Sequence, residues 1–337
     1  MGRPRGAVTA RWRWLRRLLA VVASLALVGY VLHGVDTRRV LRVLWHAGPW
    51  LPVALALELI QMLSDVAALR ILLREKASDI PKATWIRSSA VAYSMMVLLP
   101  AGRAAGEVTR ATLLAVHVGA SRAATASGQL QAAYLFGNAT ASLAACAAVA
   151  SCLGARAPLA GLLAGNALFM TATAAVLVAV LWNLRIGRWI NWLRRFVRIP
   201  PDPEGSDSTE RRTVPWKAAI ACCLGRGAQL VQYGVILVSV GGGSSPRSAL
   251  IAHGIHLVGA TLGDMLPNQL GVVDGTYRAF APALGLARTP ERAVSIAFLA
   301  HVTQILLAIA CVLLANIMGA SDGSRGEKAS SREGAHS

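Results

Sequence analysis

Charged residues are scarce in this sequence, and acidic ones are the scarcer kind. Lys and Arg number 34 and Asp and Glu 16 among 337 residues, so charged residues make up 15%, while the apolar class makes up 55%. This composition predicts an integral membrane protein rather than a soluble one. The net charge of +18 does not indicate a nucleic-acid partner, because the arginines lie in the connections between apolar runs, where membrane topology requires them.

The sequence also lacks the patterns of common catalytic and metal sites. The five cysteines lie in or at the end of apolar runs without CxxC or Cys/His spacing, so neither a disulfide framework nor a zinc site is indicated. It contains no Gly-x-x-x-x-Gly-Lys loop, no Gly-x-Ser-x-Gly elbow and no His-Glu-x-x-His motif. His253 and His256 suit a metal site or a proton relay by their spacing, yet no third ligand is near and packing is favoured. We therefore expect no enzymatic activity, no cofactor and no metal.

One polar stretch interrupts a long apolar region. Residues 99–110 contain a proline, two glycines and three charged residues, which a plain membrane helix would not contain. A similar stretch follows 167 residues later: Leu99-Pro100, Glu107 and Thr109 correspond to Leu266-Pro267, Asp274 and Thr276. Irregular backbone at membrane depth is tolerated only where it is buried in protein or lines a wet cavity. Two breaks at matching positions indicate a binding site at a repeat interface.

The apolar runs predict an all-α, polytopic membrane protein with about six full spans. The first follows the arginine-rich residues 1–17 and ends near Leu32; an uncleaved helix is favoured over a signal peptide, because further spans follow. The other five predicted spans cover about residues 49–73, 123–153, 159–184, 214–240 and 291–318. Between them lie two broken regions, about residues 83–118 and 248–286, predicted to be re-entrant helical hairpins. Residues 1–318 are predicted to form a single transmembrane domain.

The positive-inside rule gives an orientation. If each broken region makes an even number of passes, the arginine-rich connections fall mostly on one side, so the N- and C-termini are predicted to be cytoplasmic in a plasma membrane. The two hairpins then enter from opposite sides, which makes the repeat inverted. Whether each hairpin is re-entrant or crosses twice stays open. Residues 185–217 are predicted to be a cytoplasmic basic loop whose first part is an interfacial helix against anionic lipid headgroups, and residues 319–337 a disordered tail.

Several polar residues lie on helix faces inside the predicted spans. Charges there are costly and usually face a bundle interior or a water-filled cavity. Five of these residues are predicted to line such a cavity, although burial for structural pairing is an equal alternative: Glu58, Gln61, Asp65, Arg226 and Gln229. Gln131, Tyr134 and Asn138 share another face, where interhelical hydrogen bonds are favoured over ligand binding.

The two polar stretches resemble a known family. Pro100-x-x-Arg103-x-x-Gly106-Glu107-x-x-Arg110, followed by Pro267-x-x-x-Gly271-x-x-Asp274-Gly275, is similar to the lysylphosphatidylglycerol synthase transmembrane family. The second stretch departs from the family pattern, with Asn268-Gln269 in place of Gly-Gly and an aspartate in place of a glutamate. The resemblance implies a flippase-like membrane domain. No aminoacyl-transferase domain is found, so lysine transfer is not implied.

The expected function is a lipid translocase. Its substrate would be an anionic or aminoacylated phospholipid or a polyprenyl lipid, whose phosphate Arg103 and Arg110 could bind with charge assistance. The acids Glu107 and Asp274 could orient neighbouring arginines or contact a cationic headgroup. Alternatively, each acid and its neighbouring arginine could simply neutralise each other. The predicted substrate-binding residues are Arg103, Gly106, Glu107, Arg110, Asn268, Gly271, Asp274 and Arg278. The alternative is a non-transporting subunit that binds and organises a lipid-modifying glycosyltransferase. Homo-oligomerisation is left open.

Overall fold

A computed structural model describes residues 36–183 and 216–333, five isolated positions between 22 and 33, and side chains as far as Met318. The described part of the chain forms α-helices and short 3-10 turns, without β-strands. The helices are α1 (Thr37–Ala47), α2 (Leu51–Leu73), α3 (Lys82–Leu98), α4 (Gly102–Val118), α5 (Ala120–Leu153), α6 (Pro158–Asn183), α7 (Trp216–Ser239), α8 (Pro246–Leu262), α9 (Val272–Ala279) and α10 (Pro290–Glu333). The 3-10 turns are Gly48–Trp50, Arg74–Asp79, Pro267–Gln269 and Ala281–Leu284.

The described residues include five segments long and apolar enough to cross a membrane. They are Thr37–Ala77, Ala120–Leu153, Pro158–Leu181, Trp216–Ser239 and Pro290–Met318. Each contains or closely matches one predicted span, so the prediction of a polytopic all-α membrane protein is confirmed. Large apolar side chains such as Leu168, Leu224 and Ile317 are about 70% exposed. An apolar surface of this kind is typical of contact with lipid.

Some predicted segments lie outside the described residues. They are most of the first predicted span, and the basic loop with its interfacial helix apart from the start of α7. For residues 319–337 the sequence predicts a disordered tail, but the backbone of α10 continues as helix to Glu333. A helix can continue there because no proline follows Pro290.

The two broken regions have matching backbone conformations. Leu99 and Leu266 are both extended, with φ and ψ of −109° and 148° against −101° and 145°. Ala101 and Asn268 are both left-handed, with φ of 49° and 47°. In the first region the proline disfavours helical conformation at the preceding leucine, so α3 ends at Leu98. In the second region α8 already ends at Leu262, four residues before Leu266. The correspondence at a spacing of 167 residues therefore extends from sequence to local backbone.

In each broken region the chain turns back along itself. In the first, Gly102 packs on Met96 near the turn, and the Thr84 hydroxyl lies 3.3 Å from His117 Nε2 at the other end. In the second, Gly263 packs on Gln269 and Gly259 on Val273. Helices α3 and α4 therefore pack antiparallel over their whole length, and α8 packs antiparallel with the much shorter α9.

Helices α2 and α7 form the central antiparallel pair. Gln232 donates to the carbonyl of Ala54 at 3.0 Å, and Gly225 packs on Ser64. The end of α2 therefore lies beside the start of α7. The 3-10 turn Pro267–Gln269 also contacts α3, so the second break lies beside the first broken region.

Candidate functional site

Glycine allows the two arms of the first break to approach closely. A Cβ atom on Gly102 would lie 2.3 Å from the Met95 carbonyl oxygen, and one on Gly106 would lie 2.5 Å from the Ala92 carbonyl oxygen. No side chain fits at such distances. Gly106, a predicted substrate-binding residue, therefore has a packing role that brings the charged face of α4 close to α3.

A polar cavity lies beside this break, enclosed by α2, α3, α4 and α5. Its volume is about 20 Å³, enough for roughly one water molecule. The lining residues are Met62, Asp65, Ala92, Tyr93, Met96, Arg103, Gly106, Glu107, Arg110, Gln131 and Tyr134. The structure thus brings together four of the predicted substrate-binding residues with the predicted cavity residue Asp65.

Glu107 and Arg110 form an ion pair in this cavity wall. Arg110 Nη1 lies 3.2 Å from Glu107 Oε1, and their side chains are 6% and 23% exposed. Glu107 Oε2 and Arg110 Nε have no hydrogen-bond partner. Buried polar atoms without partners are rare and costly, so their presence in a polar cavity indicates a site for a polar group.

Arg103 does not pair with Glu107, although the spacing allows it. Its guanidinium lies 3.6 Å from the ring centroid of Tyr134, and Nη2 donates to the Tyr134 hydroxyl. Arg226 contacts the same ring at 4.0 Å. A tyrosine face attracts cations through its quadrupole. Tyr134 therefore joins α4, α5 and α7. From its position on a helix face, the sequence predicted only an interhelical hydrogen bond for this residue.

Charges of both signs meet around the cavity. The lining contains two arginines, Arg103 and Arg110, and two acids, Asp65 and Glu107. The charge of Arg226 acts on Asp65, and that of Asp264 acts on Arg103. The lining is therefore balanced in formal charge, and its two arginines are the groups that can bind an anion.

The other predicted cavity residues are buried nearby without lining the cavity. Glu58 accepts from the Tyr93 hydroxyl at 2.8 Å and from Gln232 Nε2 at 2.9 Å, and Gln61 Oε1 has no partner. Gln229 accepts from Arg226 and lies 3.1 Å from His253 Nε2. Sequence reasoning missed Tyr93 and Gln232, because neither stands out without knowledge of which helices meet.

The second break encloses its acid completely. Asp274 is 0% exposed, and its Oδ2 accepts from the Gly271 amide at 2.7 Å and lies 3.3 Å from His301 Nε2. Asn268 Nδ2 lies 3.1 Å from His301 Nδ1. The carboxylate caps the N-terminus of α9, which an acid in the first turn stabilises.

In the second break Asp274 and Arg278, four residues apart, do not form an ion pair with each other. Arg278 donates to the carbonyl of His33 at 3.0 Å, while the ionisable partner of Asp274 is His301. Asn268, Gly271, Asp274 and Arg278 are absent from the lining of the cavity beside the first break. Their assignment as substrate ligands stays a prediction.

A chain of buried contacts joins the two broken regions. It runs from Arg103 through Tyr134, Arg226 and Gln229 to His253 on α8. Beyond it, the ring of Tyr233 stacks on His253 and contacts His256 and Tyr277. The two regions are therefore in physical contact through side chains of α5 and α7.

The described residues contain no cluster of three or more His, Cys, Asp or Glu side chains that could hold a metal ion. The expectation of a site without metal or cofactor stays an expectation.

Comparison with known proteins gives one match. A family model described as the Lysylphosphatidylglycerol synthase TM region matches residues 17–311, which is most of the chain. Neither a curated protein nor a solved structure matches the chain.

Proposed function

The chain belongs to the family of the Lysylphosphatidylglycerol synthase TM region, and from this premise we propose that it is a lipid translocase. It binds the headgroup of an anionic or aminoacylated phospholipid, or of a polyprenyl lipid, and moves it between leaflets of a plasma membrane without changing its covalent structure. The observation that carries the proposal is the polar cavity at the first break, with unpartnered atoms of Glu107 and Arg110 in its wall.

In this proposal the α3–α4 and α8–α9 pairs are re-entrant hairpins of an inverted repeat. Helices α3 and α4 have 17 residues each, about 25 Å at ~1.5 Å per residue, which is less than the ~30 Å hydrocarbon core. The first hairpin starts beside the end of α2, and the second beside the end of α7. Because α2 and α7 are antiparallel, these ends point to opposite sides of the membrane.

Helix α4 suits a path in which headgroup and acyl chains travel separately. Its inner face carries Arg103, Glu107 and Arg110, while Val108 and Val116 on its outer face are 61% and 67% exposed. A phosphate in hydrocarbon is prohibitively costly, so it requires a polar path beside the lipid phase. The arginines and the unpartnered polar atoms supply such a path, and the outer face remains in contact with acyl chains.

The cavity of about 20 Å³ is smaller than a phosphate group, so the headgroup enters only after the cavity opens. The contact between Arg103 and Tyr134 is a polar link between α4 and α5. When a phosphate replaces the tyrosine as the partner of Arg103, the link breaks and α4 is free to move from α5. Substrate binding and cavity opening are then one event.

Reconstitution tests the proposal. Purified protein is placed in vesicles that contain phosphatidylglycerol with a fluorescent acyl chain, and loss of signal to an impermeant quencher measures movement between leaflets. We expect wild-type protein to accelerate movement and Glu107→Gln to reduce it to the protein-free rate, because the neutral amide no longer holds Arg110. Arg87→Ala, which removes an exposed arginine of the same hairpin, is the matched control and should behave like wild type.

Unchanged movement with Glu107→Gln would contradict the site. If wild-type protein moves none of the lipids tested but copurifies with a lipid-modifying glycosyltransferase, the subunit function replaces the translocase. Mass spectrometry of copurified lipid identifies the headgroup. Binding of anionic headgroups to the basic loop remains a separate proposal, since most of residues 185–217 lie outside the described residues.

A further inference from the structure

The segment Thr37–Ala77 is too long to cross a membrane only once within the hydrocarbon. It has 41 residues, about 60 Å as a helix at ~1.5 Å per residue, which is twice the ~30 Å hydrocarbon core. Helix α2 alone, with 23 residues, is long enough to span that core. Helix α1 therefore lies at or beyond the boundary between membrane and water, on the side where α2 begins.

Helix α1 continues in the direction of α2. Arg39 Nη1 lies 3.9 Å from Glu291 Oε1 in the first turn of α10, and Met62 Sδ lies 4.0 Å from Cys311 Sγ further along the same helix. Between these two contacts the α1–α2 segment advances 23 residues and α10 advances 20. The connecting turn Gly48–Trp50 has right-handed helical backbone at both ends. The segment and α10 therefore run side by side.

One face of this segment is exposed along its length, and we call it the outer stripe. Its members are separated by three, four, seven or eight residues, the spacings of a single helix face. They are Arg38, Arg42, Trp45, Val53, Ile60 and Leu63, all exposed. The stripe is basic at its first turn and apolar from Trp45 onwards. An exposed face of this composition suits contact with lipid at both its charged and its apolar parts.

The length of the segment places its basic end in a headgroup layer. Arg42 and Arg70 are 28 residues apart, about 42 Å at ~1.5 Å per residue, which matches the ~40–45 Å thickness of a bilayer with its headgroup regions. When Arg70 lies in the headgroup layer of one side, Arg42 therefore lies in that of the other. Trp45, which is 85% exposed, lies one turn further in, at the depth where membrane proteins concentrate tryptophan.

Two of the three arginines of α1 have no acidic partner in the part of the chain that the structure describes. Arg38 and Arg42 form no ion pair there, whereas Arg39 lies 3.3 Å from Asp36 and 3.9 Å from Glu291. Residues four apart are neighbours on a helix face, so Arg38 and Arg42 can contact one phosphate together. An anionic lipid supplies this negative charge at the right depth, and its acyl chains match the apolar part of the stripe.

We propose that the outer stripe is a binding site for an anionic phospholipid of the leaflet in which α1 lies. Arg38 and Arg42 bind the phosphate, Trp45 lies beside the glycerol region, and Val53 and Ile60 contact the acyl chains. None of these residues lines the cavity beside the first break. This inference goes beyond the translocase proposal and does not rest on it, because the lipid binds at the surface in the structure as it stands.

Hydrogen exchange of the α1 amides tests the site locally. Full-length protein is measured in nanodiscs of phosphatidylcholine, with and without about one third phosphatidylglycerol. We expect the α1 amides to exchange at least about five-fold more slowly with phosphatidylglycerol, because each arginine near an anionic surface contributes about that factor. In a double variant, Arg38→Gln with Arg42→Gln, exchange should be equal in both discs and should match wild type in phosphatidylcholine.

Arg39→Gln is the matched control, because it removes the same charge from the same helix at a position paired within the protein. It should keep the effect of phosphatidylglycerol. Glu107→Gln should also keep it even if lipid movement stops, so failure of the two proposals can be distinguished. If the double variant exchanges faster in phosphatidylcholine alone, Arg38→Lys with Arg42→Lys, which retains the charge, must still show the effect.

Four results would overturn the proposal. The first is equal wild-type exchange in both discs, as expected if the first predicted span or a second copy of the chain covers the stripe. The second is equal loss of the effect in Arg39→Gln and in the double variant. The third is absence of the effect in the lysine variant. The fourth is equal slowing by soluble glycerol phosphate in phosphatidylcholine discs, which would mean that the site binds the anion without the lipid.

Discussion

Between residues 99 and 101 the backbone follows the same path as between residues 266 and 268, an extended leucine, a proline and a left-handed residue. After this point the two breaks differ. Helix α4 begins at Gly102, but at the corresponding position the chain stays irregular through Gln269 and Gly271, and α9 begins at Val272. In the second break the helix therefore begins about one turn later than in the first, although the number of residues is the same. Asp274 accepts a hydrogen bond from the Gly271 amide, which precedes this later start.

The close contact between the arms is also shared, although the glycines that allow it are not in the same places. In the first break they are Gly102 and Gly106 on the second arm, against Met96 and Ala92. In the second break they are Gly259 and Gly263 on the first arm, against Val273 and Gln269. When the numbering is shifted by 167 residues, the same two pairs of positions are in contact in both breaks. In each pair, however, the glycine lies on the other arm. The comparison teaches that close approach of the arms is the common requirement.

The acids at matching positions have different surroundings. Each acid has one oxygen without a hydrogen-bond partner. That of Glu107 lies in the wall of the cavity, whereas Asp274 is fully buried beside the Gly271 amide and His301. The first break suits a ligand that comes and goes. The second holds its acid as a cap on the N-terminus of α9.

The largest expected effect is the difference in stability between loss of Arg110, which pairs with Glu107, and loss of Arg278, which does not pair with Asp274. Arg110→Ala leaves Glu107 buried without its cation and should lower the free energy of unfolding by about 3–5 kcal/mol. Arg278→Ala, one position after the residue that corresponds to Arg110, removes a partly exposed contact to the His33 carbonyl and should cost about 1 kcal/mol or less. Thermal unfolding in detergent measures both, and equal losses would mean that the two breaks depend on their arginines alike.

An intermediate effect tests the glycine contacts. Gly106→Ala places a Cβ 2.5 Å from the Ala92 carbonyl, and Gly259→Ala places one 2.9 Å from the Val273 Cα. Each should destabilise by about 1–3 kcal/mol through overpacking, the first more than the second. Gly161→Ala on α6, where a Cβ meets nothing within 4 Å, is the control and should be neutral or slightly stabilising. Tolerance of both alanines would show that the arms are not closely held.

The smallest effect compares the left-handed residues. Ala101→Gly should stabilise by up to about 1 kcal/mol, because glycine adopts a positive φ without strain. Asn268→Gly should instead destabilise by about 1 kcal/mol, since asparagine tolerates this conformation and its bond to His301 is lost. Ala104→Gly, inside α4, controls for the entropy of glycine and should also destabilise. Stabilisation by both Ala101→Gly and Asn268→Gly would mean that Asn268 has no such role.

The sequence predicted much of the fold and about half of the site. Long apolar runs located the five spans that the structure describes, and the residues 99–110 located the cavity through Arg103, Glu107 and Arg110. The spacing along α4 allows both arginines to reach Glu107, but Arg103 contacts Tyr134 on another helix. Spacing along one helix shows which residues can meet, and only the neighbouring helices decide which of them do.

By itself, the sequence determined that the chain lies in a membrane, where it is interrupted, and that the interruption is repeated, because hydropathy and proline act locally along the chain. The tertiary structure alone decided that Tyr134 joins two arginines, that Asp274 pairs with His301 from α10, and that glycines exchange sides between the breaks. These contacts join residues far apart in sequence, and helix packing sets their distances.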